Sequence, residues 1–154
     1  MFKQIVVGTD GSTGANIAVD AAIELARMSG ATLHVVNAHK LMTAYQLATA
    51  ADVGIAPVDV SSTNDAILAE GKLICDQVLE RAGQAGVQAE THNVGGDPAD
   101  ALMRVAKDTG ADLLVVGNRG MAGARRFVLG SVPNKVSHHC PSNLLIIDTS
   151  QARA

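Results

Sequence analysis

The sequence predicts an α/β fold, an open parallel sheet with helices on both faces, and two kinds of segment carry that reading. Ile5-Val6-Val7, Leu33–Ala38, Leu113-Leu114-Val115-Val116 and Leu144-Leu145-Ile146-Ile147 are short, largely apolar runs, as strands buried on both faces require. The stretches between them place apolar residues at helical spacing instead. With 154 residues, 47% of them hydrophobic, residues 1–154 suit a single domain that buries roughly 70% of its unfolded surface.

In chain order, Ile5-Val6-Val7 opens the first strand, and Ile17, Ala18, Ala21, Ala22 and Leu25 mark a helix through about Ser29, closed by Gly30. Leu33–Ala38 is the second strand and completes a right-handed βαβ unit. Residues 39–63 show no clear period, and a connection of that length suggests a lid, an insertion or a disordered segment. Asn64 or Asp65 is then placed as the cap of an amphipathic helix carrying Ile67, Leu68, Gly71, Ile74, Cys75, Val78, Leu79 and Ala82, ended by Gly83 and Gly86. Val87–Val94 alternates apolar and polar residues, which predicts an edge strand with one wet face. Asp97 reads as an N-cap and Pro98 as the first residue of a helix that turns Ala101, Leu102, Val105 and Ala106 inward. After the fourth strand and a glycine-rich loop, Ser131 reads as N-cap of a short helix to about His139, with Pro133 in its first turn. Leu144–Ile147 is the last strand. Five strands thus alternate with four helices.

Composition narrows the function. Phe2, Tyr45 and Phe127 are the only aromatic rings besides histidine, so no base-stacking platform exists, and a formal charge of -3 gives no basic face for nucleic acid. No signal peptide and no apolar span of ~20 residues is visible, which makes a cytoplasmic protein without membrane contact the expectation. Cys75 falls in an apolar helical stripe and Cys140 at a helix end, and both read as inert thiols. His138 and His139 are adjacent and stand about 100° apart around a helix, so they are no i, i+4 metal pair. His34 and His92 lie in strands and His39 just after one; no histidine is assigned a metal.

The segment Val115–Val132 is where the chain turns from core to site. An apolar strand stops at Gly117, and a loop with Gly117, Gly120, Gly123 and three arginines, Arg119, Arg125 and Arg126, leads to a helix start at Gly130-Ser131-Val132-Pro133. Glycines let backbone amides approach an anion, and a helix N-terminus adds partial positive charge, so the pattern describes a phosphate cradle. The competing reading gives the glycines to turn geometry and the arginines to solubility. Spacing excludes two commoner loops. Gly8-Thr9-Asp10-Gly11-Ser12-Thr13-Gly14 lacks the G-x-G-x-x-G order, and G-x-x-x-x-G-K-[S/T] occurs nowhere. No nucleophile elbow, CxxC or Ser-His-Asp arrangement is present, so no catalytic residue is assigned.

Gly117-x2-Gly120-x9-Gly130-Ser131 fits the G-2x-G-9x-G-(S/T) signature of ATP-binding universal stress proteins. Val6-Val7-Gly8-Thr9-Asp10-Gly11-Ser12, Leu33-His34-Val35-Val36 and Pro141-x-Asn143-Leu144-Leu145-Ile146-Ile147 resemble other segments of that family in the same order, so the likeness spans nearly the whole chain. The resemblance implies the adenine-nucleotide alpha-hydrolase-like sheet, strand order 3-2-1-4-5. Strands 1 and 4 then flank the topological switch point, where ligands bind at the carboxyl ends of strands and where Asp10 and Gly117 fall.

By the same resemblance the ligand is ATP and the protein a regulator of stress response. Gly8, Thr9, Asp10 and Gly11 would line one wall, with Asp10 accepting from the nucleoside or capping the next helix, and the backbone of Val35 would read the adenine edge. Gly117, Asn118, Arg119, Gly120, Gly130, Ser131 and Val132 would hold ribose and phosphates. Any Mg²⁺ would ride on phosphate oxygens and water, because no carboxylate cluster is visible to cage it. Asn118 and Pro133 depart from the family's common pattern, and Pro133 lacks a donor amide. AMP or cyclic AMP therefore stands as an alternative ligand, and slow ATP hydrolysis as an alternative to binding alone. The last strand would be an apolar edge, which predicts a homodimer through Leu144–Ile147.

Overall fold

The computed structural model describes residues 1–43, 59–118 and 129–150. Five strands, β1 (Gln4–Gly8), β2 (Thr32–His39), β3 (Ala89–Gly95), β4 (Leu113–Gly117) and β5 (Asn143–Ile147), form one sheet. All four pairings are parallel and the order is β3-β2-β1-β4-β5. Among the described residues four helices alternate with the strands: α1 (Thr13–Ser29), α2 (Val60–Gln84), α3 (Pro98–Asp108) and α4 (Ser131–His139). The expected fold and strand order are those observed.

Alternation along each strand sorts the side chains into two cores. Ile5 and Val7 of β1, with Leu33, Val35 and Val115, pack under α1 and α2 against Val19, Ala22, Val78 and Ala82. Val6, Val36, Leu114 and Val116 point the other way, under α3 and α4, against Leu102, Val105 and Val136. Central strands with two buried faces have no place for polar alternation, which explains the unbroken apolar runs. β3 lies at the edge as expected and has no fully buried residue, but its burial does not alternate: Thr91 and His92 are both half-buried, and the exposed Glu90 and Asn93 fall on opposite faces. β5 is the other edge, and its last four residues are half-buried.

Helix boundaries differ from the sequence reading in three places, one being that α2 runs through Gly83 to Gln84, with Ala85 as its cap and Gly86 just beyond. α2 starts at Val60 with Asp59 as its cap, Asp59 Oδ1 accepting from the Ser61 amide. Asn64 instead lies within the helix and clamps Met42, accepting from its amide at 2.8 Å and donating to its carbonyl at 3.1 Å. The expected 39–63 connection is therefore shortened at both ends by β2 and α2; residues 44–58, Tyr45 among them, lie outside the described residues. α4 is capped by Gly130, and Ser131 is its first residue. The caps at Asp97 and the position of Pro98 are as expected. Among the described residues no helix is long and apolar enough to cross a membrane.

Candidate functional site

β1 and β4 are neighbours at the centre of the sheet, and the chain leaves their carboxyl ends in opposite directions. A cleft opens there, lined by Gly8, Thr9, Asp10, Ala15, Val36, Ala38, Pro98, Leu102, Val116, Gly117, Val132 and Pro133. Its floor is apolar and its rim carries backbone and one carboxylate.

The β1 wall is fixed by a chain of hydrogen bonds. The Thr9 amide donates to Val36 O at 2.9 Å, extending the β1–β2 ladder by one residue. Buried Asn37 donates from Nδ2 to Thr9 O at 2.9 Å, and Thr9 Oγ1 accepts from the Gly11 amide. Gly11 has φ +77°, a conformation that favours glycine, and a Cβ there would meet Ile74 Cδ1 at 3.0 Å, so that side chain would have to shift slightly. Asp10 is exposed, and its Oδ1 accepts from the Ser12 amide. The α1 cap is Ser12, whose Oγ accepts from Ala15 N, so Asp10 shapes the turn without capping the helix.

Asn37 is itself held in place by a close helix. A Cβ on Gly71 of α2 would sit 2.6 Å from Asn37 Oδ1 and 2.8 Å from Asn93 Oδ1. That glycine lets α2 lie against the polar ends of β2 and β3.

On the β4 side, Asn118 works as a structural clamp. Its amide donates to Ile147 O, and its Oδ1 accepts from both the amide and the hydroxyl of Thr149, while Nδ2 donates to Asp148. Its carbonyl accepts from the Gly130 amide at 2.9 Å, tying the two ends of the glycine-rich segment together. Arg119, Gly120, Gly123, Arg125, Arg126 and Phe127 lie outside the described residues.

Three helices point their N-termini at this cleft, through Ala15, Pro98 and Val132. Ser12 caps α1 and Asp97 caps α3 by accepting from Ala99 N and Asp100 N. α4 has no side-chain cap bond. Its first two amides, Ser131 and Val132, therefore offer donors, while Pro133 offers none. Lys135 spans α4 and α3, reaching Asp100 at 2.8 Å and Asp97 at 3.2 Å. The Asp100 amide, then Lys135, hold the Asp97 carboxyl below the usual aspartate range, and Asp100 and Asp97 raise Lys135.

Of the residues singled out in the sequence, Gly8, Thr9, Asp10, Gly117 and Val132 line one cleft, with Gly130 and Ser131 at the α4 start beside it. Gly11 supports the wall from behind, and Val35 is fully buried on the opposite face of the sheet. Val36 and Ala38 also line the cleft, and the role expected of Val35 concerns its backbone alone. Asn37 and Gly71 had no signal in the sequence, because a polar residue at a strand end and a glycine in a helix each have commoner explanations. Away from the cleft, His34, Glu90 and His92 come together, although 58 residues separate His34 from His92.

Residues 1–148 match the Universal stress protein family. A universal stress protein of Bacillus subtilis is 33% identical over 147 residues, covering 96% of this chain and 99% of its own. A universal stress protein of Mycobacterium tuberculosis is 37% identical over 150 residues, covering 97% and 98% respectively. Among solved structures, a universal stress protein in complex with cAMP is 32% identical, covers 96% of this chain and 98% of its own, and superposes with a TM-score of 0.68.

Proposed function

The chain belongs to the universal stress protein family, and from that premise we propose that it is a cytoplasmic regulator that binds an adenine nucleotide at the carboxyl ends of β1 and β4. One observation carries the reading: of the three helix N-termini at the cleft, the only one without a side-chain cap is the one that ends the glycine motif. A phosphate there meets the Ser131 and Val132 amides and the α4 dipole. The adenosine lies over the apolar floor of Val36, Ala38, Leu102 and Val116, with Asp10 at the rim to accept from ribose or base.

The G-2x-G-9x-G-S motif favours ATP, with any Mg²⁺ held by phosphate oxygens and water. A second reading, cyclic AMP, is favoured by the relative solved with cAMP and by Pro133, which removes the third donor of the helix start. No general base is assigned, so binding is the function and hydrolysis at most slow. The half-buried β5 edge supports a homodimer through Leu144–Ile147.

Titration calorimetry with ATP, AMP, cAMP and GTP tests the proposal. Saturable binding of one adenine nucleotide per chain, with GTP weaker, is expected; ATP tighter than AMP selects the first reading, and cAMP tighter than ATP the second. No saturable heat with any adenine nucleotide overturns both.

A further inference from the structure

We propose that His34 Nδ1, His92 Nε2 and the Glu90 carboxylate form a three-ligand site for a divalent transition ion, zinc, on the β2–β3 side of the sheet. The strand register builds it. β2 and β3 pair with His34 opposite Glu90, and His92, two residues further along β3, shares a face with Glu90. Gln4, the first residue of β1, lies on that same face and completes the group. The cluster starts near the amino ends of β2 and β3 and reaches His92, the register partner of Val36; none of its residues lines the nucleotide cleft, and the site does not depend on that assignment.

The distances fit a small ion. His34 Nδ1 is 3.2 Å from His92 Nε2 and 3.7 Å from Glu90 Oε2, and the three ligand atoms all lie within 4.8 Å of one another. Tetrahedral zinc with bonds of about 2.0–2.1 Å separates its ligand atoms by roughly 3.3 Å. The carboxylate has the most room to adjust, because the Glu90 side chain is 60% exposed against 6% for His34. Two imidazoles and one carboxylate leave a fourth position for water.

The support behind His34 is that of a metal ligand. Gln4 Oε1 lies 2.8 Å from His34 Nε2 and accepts its proton, which leaves the Nδ1 lone pair facing His92 and Glu90. Without metal, His92 Nε2–H donates to His34 Nδ1. Zinc takes both lone pairs: the His92 proton moves to Nδ1 of its own ring by exchange with solvent, and no net proton is released.

Tag-free, metal-stripped protein titrated with Zn²⁺ against a chromophoric chelator, and with Co²⁺ by visible absorption, tests the site. One ion per chain is expected, with four-coordinate Co²⁺ bands. His92→Ala should weaken zinc by at least ~100-fold, and Gln4→Leu, which touches no ion, by ~10–100-fold as supporting-shell changes do. Glu90→Gln, at an exposed position, keeps the test valid if His92→Ala does not fold, and should also weaken binding. A His138→Ala/His139→Ala double variant should bind as wild type. The proposal is overturned by absence of one-to-one binding below millimolar Zn²⁺, by binding that survives both His92→Ala and Glu90→Gln, or by binding lost with the His138–His139 pair.

Discussion

Replacing Ser131 by glutamate separates phosphate binding from helix stability, because the two respond with opposite sign. Ser131 is the exposed first residue of α4, and its side chain makes no cap bond. A carboxylate in the first turn complements the helix dipole and stabilises the helix by about 0.3–1 kcal/mol, which in a domain of this size raises Tm by about 1–4 °C. The same charge repels a bound phosphate. At a separation of roughly 5 Å, Coulomb's law gives about 1 kcal/mol for the dielectric of water and about 3 kcal/mol at an effective value near 20, so affinity should fall ~5–200-fold. Ser131→Ala removes the hydroxyl without adding charge and should cost no more than about 1.5 kcal/mol of binding. Calorimetry with the tighter-binding adenine nucleotide, beside a thermal melt, reads both effects. Unchanged affinity in Ser131→Glu with an intact or raised Tm would refute a phosphate at the start of α4.

Three further outcomes follow from the same structure. Gly71→Ala should destabilise the fold despite alanine's helix preference of about 1 kcal/mol. The added methyl meets Asn37 and Asn93 at 2.6–2.8 Å and threatens the Asn37–Thr9 bond, a loss of about 1–3 kcal/mol each for overpacking and for an unmade buried hydrogen bond; a urea midpoint at or above wild type would contradict this. For Asp97, the carboxyl is held below its ordinary value of 3.8 when folded, so its contribution is complete above that value and is lost as pH falls through the lower folded one. Asp97→Asn, which keeps a capping side chain, should flatten the stability profile below about pH 4 and leave its slope between pH 5 and 7 alone; matching acid slopes in the two proteins would refute it. Sedimentation at micromolar concentration should give a dimer mass, and a monomer mass would remove the β5 interface.

What could be read from the sequence was what one residue type at one spacing can say. Ile5-Val6-Val7 and Leu113–Val116 announced buried strands because both faces of a central strand exclude water. Asp97-Pro98 announced a helix start because the cap bond and the missing amide are local properties. Features set by partners distant in sequence were not legible. Asn64 has the side chain of a cap, but Met42, 22 residues away, occupies it. Asn118 sits inside the glycine motif, yet its side chain serves Asp148 and Thr149. Val35 and Val36 are indistinguishable as residues, and only the pleat puts Val36 in the cleft. The His34–Glu90–His92 group exists only through the β2–β3 register.

The most direct test of an adenine nucleotide at the β1–β4 crevice is an amide ¹H–¹⁵N titration of the protein with ATP and, separately, cAMP. The largest saturable shifts should fall on Gly8, Asp10, Gly11, Val36, Ala38, Gly117, Ser131 and Val132, with residues of the α1–α2 core face such as Val19 and Val78 little changed. Shifts confined to surfaces away from the strand ends, or none at saturating nucleotide, would contradict it.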